Sequence, residues 1–277
     1  MSIECKNCLS TKNELIMDLG MHPLANALIP LNQIFRPTVS YPLRLIKCTE
    51  CHFVQIDYNY DPGQIFNDQY VYFSSMSEGF KKHALTFVEN ITKKENLSEN
   101  SFVVEIASND GYLLKNFIDL GVPCLGIEPS SSTAKISKEK GIDTLIDFFS
   151  TKVAKSVVGK YKNADLIIAN NVLAHVPDLL DFLNGIKTLL AEDGMVSIEF
   201  PHLLNMIKNR QFDTIYHEHY SYISLISLNL SLSNIGLKMV DAEEIDVHGG
   251  SLRLYISHKS SKRLTNKIIN NIIEKEV

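Results

Sequence analysis

Four of the five cysteines stand as two Cys-x-x-Cys pairs close to the N-terminus, Cys5–Cys8 and Cys48–Cys51. Each pair places two thiols on one tight turn. Two such turns complete the tetrahedral four-sulfur set that a closed structural zinc site prefers, so zinc is the expected ion, and a redox dithiol is the competing reading. A disulfide framework is disfavoured, because Met1-Ser2-Ile3-Glu4 runs straight into polar residues and resembles no signal peptide. A reducing cytoplasm is the expected compartment.

A second chemical signal begins at Val103-Val104-Glu105-Ile106-Ala107-Ser108-Asn109-Asp110-Gly111. A buried strand ending in Glu105-Ile106-Ala107 leads through a short polar turn to a helix. Ligands of such units sit at the carboxyl ends of the strands, and small residues at Ala107, Ser108 and Gly111 let one approach the backbone. Glu128 closes the next strand, Leu125-Gly126-Ile127, where a carboxylate accepts hydrogen bonds from ribose hydroxyls. The G-x-G-x-x-G turn that cradles a pyrophosphate is not present here, which disfavours NAD. An adenosine without phosphates fits better, and S-adenosylmethionine (SAM) is such a ligand. Glu105 and the Asn109-Asp110 turn are expected to face its amino-acid end. Ala107, Gly111, Glu128 and Asn170 are expected to line the same cleft.

The acceptor side is marked by titratable groups. Asn170-Asn171-Val172-Leu173-Ala174-His175-Val176-Pro177-Asp178 follows a strand. Glu199-Phe200-Pro201-His202 ends another, and Tyr216-His217-Glu218-His219-Tyr220-Ser221-Tyr222 and His248-Gly249-Gly250 come later. Five of the nine histidines fall in these segments. His217-Glu218-His219 is not the helical zinc motif, which needs two histidines four apart. On an extended chain His217 and His219 share a face; on an irregular loop the group can converge. Bases gathered beside an electrophilic methyl donor suit proton abstraction from the acceptor.

The elements that must position these groups follow from periodicity. Residues 1–62 read as a small, loop-rich β module that depends on its metal. Residues 63–98 read as a linker and lid, with a helix capped by Ser77 whose apolar face is Phe80, Ala84, Leu85, Val88 and Ile91. Over 99–277 strands and helices alternate. Strands are expected at 102–107, 124–127, 142–146, 166–169 and 194–200, with helices at 111–120, from Ser131 or Ser132, at 179–190 and at 225–235. A closing antiparallel pair is expected at 237–245 and 251–257, then a helix at 266–274. This alternation predicts an α/β fold with an open, mostly parallel sheet covered by helices on both faces.

The net charge of −5 argues against nucleic acid, which wants a basic face, and the apolar runs are too short to span a bilayer. A small-molecule substrate is left as the expected partner.

The chain resembles the sugar C-methyltransferases of deoxysugar biosynthesis. The likeness is carried by Cys5-x-x-Cys8, Leu19-Gly20-Met21-His22-Pro23-Leu24-Ala25-Asn26, Cys48-x-x-Cys51 and Tyr70-x-Tyr72-x-Ser74-Ser75. It continues through Glu105 to Gly111, His175-Val176-Pro177-Asp178, Tyr216 to Tyr222 and His248-Gly249-Gly250-Ser251-Leu252-Arg253. The resemblance implies a Rossmann-like class I methyltransferase sheet, SAM, a structural zinc and a nucleotide-linked 4-keto sugar. It implies His219 as the base, Tyr216, Glu218 and His175 as positioning or enolate-stabilising groups, and Tyr70 reaching in from the other side. Members of that family carry a further C-terminal domain that helps form the nucleotide-sugar site, whereas this chain ends after one expected helix. O-methylation of another small acceptor, or a non-catalytic role as a partner protein, are the alternatives.

Overall fold

Short, mostly apolar strands alternate with amphipathic helices because each central strand is covered on both sides and each helix on one. The computed structural model describes residues 3–26, 28–58, 61–66, 72–246 and 249–277. The N-terminal strands are β1 (Asn13–His22), β2 (Tyr41–Cys48) and β3 (Val54–Ile56). Helix α1 (Glu78–Lys94) precedes β4 (Val103–Ile106), α2 (Leu114–Asp119), β5 (Cys124–Ile127), α3 (Ser131–Glu139) and β6 (Thr144–Leu145). Next come α4 (Thr151–Lys160), β7 (Ala164–Asn170), α5 (Leu179–Leu189), β8 (Leu190–Pro201), α6 (Leu203–Lys208) and β9 (Ser221–Tyr222). The chain continues through α7 (Leu225–Ile235), β10 (Leu237–Ile245), β11 (Ser251–His258) and α8 (Lys267–Glu276).

Seven strands form one sheet in the order β10-β11-β8-β7-β4-β5-β6. β8, β7, β4, β5 and β6 run parallel, and β11 inserts antiparallel between β8 and β10. All four residues of β4 and of β5 are buried, as central parallel strands require. Val104, Ile106, Ile127 and Ile198 pack on one side with α4, α5, α7 and α8. Val103, Leu114, Phe117 and Ile168 pack on the other with α1 and α2. Ser77 caps α1 by accepting from the Phe80 N–H, and Glu78 and Lys93–Lys94 complement the helix dipole at its two ends. The inward face of α1 is Ala84, Phe87, Val88 and Ile91; Leu85, assigned to that face from the sequence, is 45% exposed. α4, which the sequence reading did not assign, is capped by Ser150 and buries Val153, Ala154 and Val157.

The second sheet has the order β1-β2-β3-β9. β9 lies far along the chain from the other three strands, yet Val54 pairs with Tyr222 and Gln55 with Ser221. Leu43, Leu45, Val54 and Ile56 of this sheet pack on Met206, Tyr220 and Tyr222. Cys5, Cys48, Cys51 and Phe53 join the main core instead. The Asn7 side chain donates to the Ser227 carbonyl at 2.8 Å, which ties the first cysteine turn to α7. Among the described residues no helix is long and apolar enough to cross a membrane.

Candidate active site

A cavity of about 800 Å³ opens at the carboxyl tips of β4, β5 and β7, where ligands of doubly wound sheets bind. Ala107, Asn109, Glu128 and Asn170 line it, as do His175, Tyr216, Glu218 and His219. The strand tips and the 216–219 segment, far apart in sequence, thus face one space.

The β4–α2 turn has an unusual backbone. Ala107, Asn109 and Gly111 take positive φ values of 55°, 50° and 74°. For Ala and Asn this conformation costs on the order of 1 kcal/mol or more, so neighbours must hold it. Glu128 does much of that work: its two carboxylate oxygens accept the Asn109 N–H at 2.8 Å and the Ser130 N–H at 2.9 Å. Burial raises the Glu128 carboxyl above its ordinary range, and these two main-chain donors oppose the rise. A Cβ on Gly111 would lie 2.3 Å from Ile142 Cδ1, so this glycine serves close packing behind the turn and does not line the cavity.

Two other expectations change. Glu105 is 2% exposed and lies behind the cavity wall, its Oε2 without a hydrogen-bond partner among the described residues. Burial, with Glu128 and Asp110 nearby, pushes its carboxyl well above the usual range. The Asn109 side chain does not face a ligand freely. Its Oδ1 accepts the Ser74 N–H at 2.9 Å and its Nδ2 donates to the Tyr72 carbonyl at 3.0 Å, so it pins the segment that walls the acceptor side. Asp110 is buried against Lys140. Asn170 ends β7 and Asn171 follows it, both with buried Oδ1 atoms that have no partner among the described residues.

On the acceptor side the 216–219 segment is a turn, closed by the His219 N–H on the Tyr216 carbonyl at 3.0 Å. His219 Nδ1 lies 2.8 Å from the Thr214 carbonyl oxygen, which only an N–H can face. The neutral ring therefore carries its proton on Nδ1, and Nε2 accepts from Tyr216 Oη at 3.0 Å. Burial, with Glu218 nearby, pushes the Tyr216 phenol above its ordinary range. His175 meets His219 edge to face at 4.7 Å between ring centres. Its ring donates to the Glu218 carbonyl, and Nδ1, buried and without a partner among the described residues, keeps a lone pair. Burial first, and His219 second, lower the His175 imidazole to about 3, so it stays neutral. Glu218 is 2% exposed and accepts Asn26 Nδ2 at 2.5 Å.

The remaining histidines diverge. His217 packs its ring against Tyr41 of β2. His202 lies 2.6 Å from Glu276, whose carboxylate also accepts the first two N–H groups of α7. Glu199 forms an ion pair with Arg253 at 2.8 Å. Of the four described histidines of the expected gathering, His175 and His219 line the cavity. Tyr70 and His248 lie outside the described residues. Asn26, Tyr72, Phe148 and Phe149 also line the cavity, although sequence reasoning did not single them out as site residues. Asn26 and Tyr72 stood inside segments that carried the resemblance, and the two phenylalanines follow the short third strand of the parallel set, the signals that marked them.

The four N-terminal thiol sulfurs lie within 4.8 Å of one another. Each turn has the same form: the residue after the second cysteine, Leu9 or His52, takes a positive φ, and its N–H returns to the carbonyl of the first cysteine. Cys5–Cys51 and Cys8–Cys48 sulfur separations are 3.5 and 3.6 Å. Four Zn–S bonds of about 2.3 Å in a tetrahedron place sulfurs roughly 3.8 Å apart, so the four cysteines fit zinc. Cys5, donating to Cys51, lowers that thiol below its ordinary range, with Asn7 adding to the effect.

The parallel sheet with its inserted antiparallel strand and its ligand cavity at the strand tips is a class I methyltransferase fold. The CcbJ methyltransferase of Streptomyces caelestis is similar to it, at 15% identity over 73% of this chain and 100% of that one with a TM-score of 0.54. So is the magnesium protoporphyrin IX methyltransferase ChlM of Synechocystis PCC 6803, solved with bound SAH, at 13% identity over 65% and 84% with a TM-score of 0.51. Residues 5–66 match the profile of a zinc binding domain. Residues 80–242 match that of a methyltransferase domain, and the chain belongs to that family. It is also 31% identical over 252 residues to the C-methyltransferase NovU of Streptomyces niveus. The match takes in 91% of this chain and spans 60% of the length of that relative.

Proposed function

We propose that the chain transfers the methyl group of SAM to the carbon beside a ketone of a sugar, one carried as a nucleotide-activated sugar or related surface-polysaccharide precursor. The observation that carries this reading is the Tyr216–His219 pair, with its imidazole lone pair on the same cavity as Glu128 and the β4 turn. The likeness to a C-methyltransferase supports carbon as the acceptor atom.

The cavity fits the cofactor. Five carboxylates line it, Glu128, Asp178, Asp181, Asp213 and Glu218, a setting that favours a ligand with a sulfonium and an ammonium. In this reading Glu128 takes the ribose, its oxygens retaining a lone pair beyond the two main-chain bonds and the Thr133 hydroxyl. Asn170 Oδ1, on the wall, is an acceptor without a partner among the described residues. Ile127, Pro129, Phe148 and Phe149 supply an apolar face for an adenine. The bound cofactor supplies an electrophilic methyl group.

The protein's own part is proton transfer and orientation. At rest the Tyr216 hydroxyl hydrogen occupies the one Nε2 lone pair, and it first turns to the ketone oxygen. The C–H bond beside the ketone then breaks, its electron pair passes into the enolate, and the proton ends on the freed His219 Nε2. The Thr214 carbonyl holds Nδ1–H throughout and so fixes the ring plane. Protonated Nε2 donates to the Tyr216 oxygen, while the Tyr216 hydroxyl hydrogen remains donated to the enolate oxygen. His175 Nδ1 and the Glu218 carboxylate are both acceptors, which suits hydroxyls of the sugar. For His175 this replaces an enolate-stabilising role, which would need a donor.

Incubation with SAM and a panel of nucleotide-linked 4-keto sugars in deuterium oxide tests the assignment by mass spectrometry. Both methylation and deuterium uptake beside the ketone are expected. Methylation on oxygen with no exchange at carbon would move the reading to O-methylation.

Glu128→Gln is expected to weaken binding of S-adenosylhomocysteine, the demethylated cofactor, by roughly 10- to 100-fold, because a charge-assisted hydrogen bond contributes about 1.5–3 kcal/mol. The new amide also faces a main-chain donor, which loosens the turn at Asn109. Calorimetry reads the change, and an unaltered affinity removes Glu128 from the cofactor site.

A further inference from the structure

We propose that Asn26 is a positioning residue of the acceptor site, through which the N-terminal module holds Glu218 and the Tyr216–His219 turn in working geometry. The proposal rests on the methyl-transfer reading and extends it to a residue outside the methyltransferase sheet.

Glu218 is a carboxylate with almost no contact with water, and burial of such a group is costly unless donors face it. Among the described residues both of its donors come from one residue: Asn26 Nδ2, at 2.5 Å from Oε1, and the Asn26 main-chain N–H. Asn26 belongs to the segment between β1 and β2, and Leu24, two residues earlier, packs on the apolar cluster of the second sheet. That sheet also takes β9, which begins three residues after Glu218. The turn carrying Glu218 and His219 is therefore gripped twice by the N-terminal module, once through the β3–β9 ladder and once through Asn26. The second grip acts directly on a side chain that lines the cavity.

The titratable groups that bear on Glu218 are Tyr216 and Tyr220 in its own segment and His175 and His219 beside it. Among the described residues no cation pairs with the Glu218 carboxylate, so Asn26 is what favours its ionised form. Loss of its amide raises the Glu218 carboxyl further above the range to which burial has already moved it. The ionised form then disappears at a higher pH.

The test compares Asn26→Leu, Glu218→Gln and the double variant with the parent chain. In Asn26→Leu, kcat/KM on the keto-sugar acceptor is expected to fall by 30-fold or more. The acid limb of its pH profile is expected to move upward by about one pH unit, and affinity for S-adenosylhomocysteine to stay within twofold. In the Glu218→Gln background, Asn26→Leu is expected to add less than a threefold loss, because the residue acts through Glu218. Asn26→Gln, which keeps the amide, is expected to recover part of the rate. A near-parental rate in Asn26→Leu overturns the proposal, as does a full additional loss in the double variant or a rate loss with no shift in the pH profile. If the parent chain methylates no acceptor, the methyl-transfer reading falls and this one with it.

Discussion

Replacing His219 by alanine is expected to lower turnover by about 10²- to 10⁴-fold, the usual contribution of a positioned general base. Affinity for S-adenosylhomocysteine and the metal content are expected to stay at parental levels. His219 is only half-buried and contributes no residue to the packed clusters of the sheet, so its truncation is a small structural loss. What it removes is Nε2, the lone pair on the cavity side, and with it the partner of Tyr216 Oη. Tyr216 cannot replace it, because burial and Glu218 hold its phenol in the protonated form. His175 cannot replace it either: its imidazole, already brought down to about 3, is too weak a base to hold the proton. Deuterium uptake beside the ketone, followed without SAM, separates the proton step from methyl transfer. Uptake at the parental rate in His219→Ala would assign the base elsewhere.

Much of the fold was legible because parallel strands leave a strong mark. Val103–Ile106 and Leu125–Ile127 are apolar throughout or nearly so, and only a sheet covered on both faces buries such runs. The closing pair expected at 237–245 and 251–257 is found at Leu237–Ile245 and Ser251–His258. α4 was not legible, although the topology demands it: parallel β6 and β7 need a crossover between them. Its sequence, Thr-Lys-Val-Ala-Lys-Ser-Val-Val-Gly-Lys, is rich in β-branched residues and buries only three side chains, so its helical stripe is faint. The site was legible in composition more than in direction. Glu128, Ala107, His175, Tyr216, Glu218 and His219 do meet on one cavity. His217 and His202 do not, because a turn sends neighbouring side chains to different sides and spacing says nothing about which. Glu105 and Asn109 show a second limit. Which of several polar groups in a tight turn meets a ligand, and which supports the turn, depends on long-range partners such as Glu128, Ser74 and Lys140. The β3–β9 ladder and the Asn26–Glu218 contact are non-local in the same sense.

Stripping the metal, or replacing Cys48 by serine, is expected to abolish turnover while affecting cofactor affinity far less. Cys48 is fully buried at the end of β2, opposite Asn13 of β1, and its main-chain N–H is bonded to the Phe53 carbonyl just before β3. A four-cysteine zinc site contributes on the order of 10 kcal/mol to folding of the module that holds it, more than the few buried side chains of β1–β3 supply. Without the ion, four thiols would be crowded within 4.8 Å with little left to hold the two turns together. β3 is the central link: loosening it releases β9 and then the turn from Tyr216 to His219, two residues upstream. The tips of β4, β5 and β7 belong to the other sheet and retain Glu128 and the Ala107–Gly111 turn, so the cofactor half of the cavity is preserved. Hydrogen exchange after chelation should therefore rise at residues 41–56 and 216–222 and stay low at 103–106 and 124–127. Calorimetry with S-adenosylhomocysteine should still detect binding. Serine at position 48 should reproduce the pattern, because a hydroxyl is a poor zinc ligand. Retained turnover in the metal-free chain, with no added exchange at 216–222, would separate the metal centre from the acceptor site and leave it as a local staple.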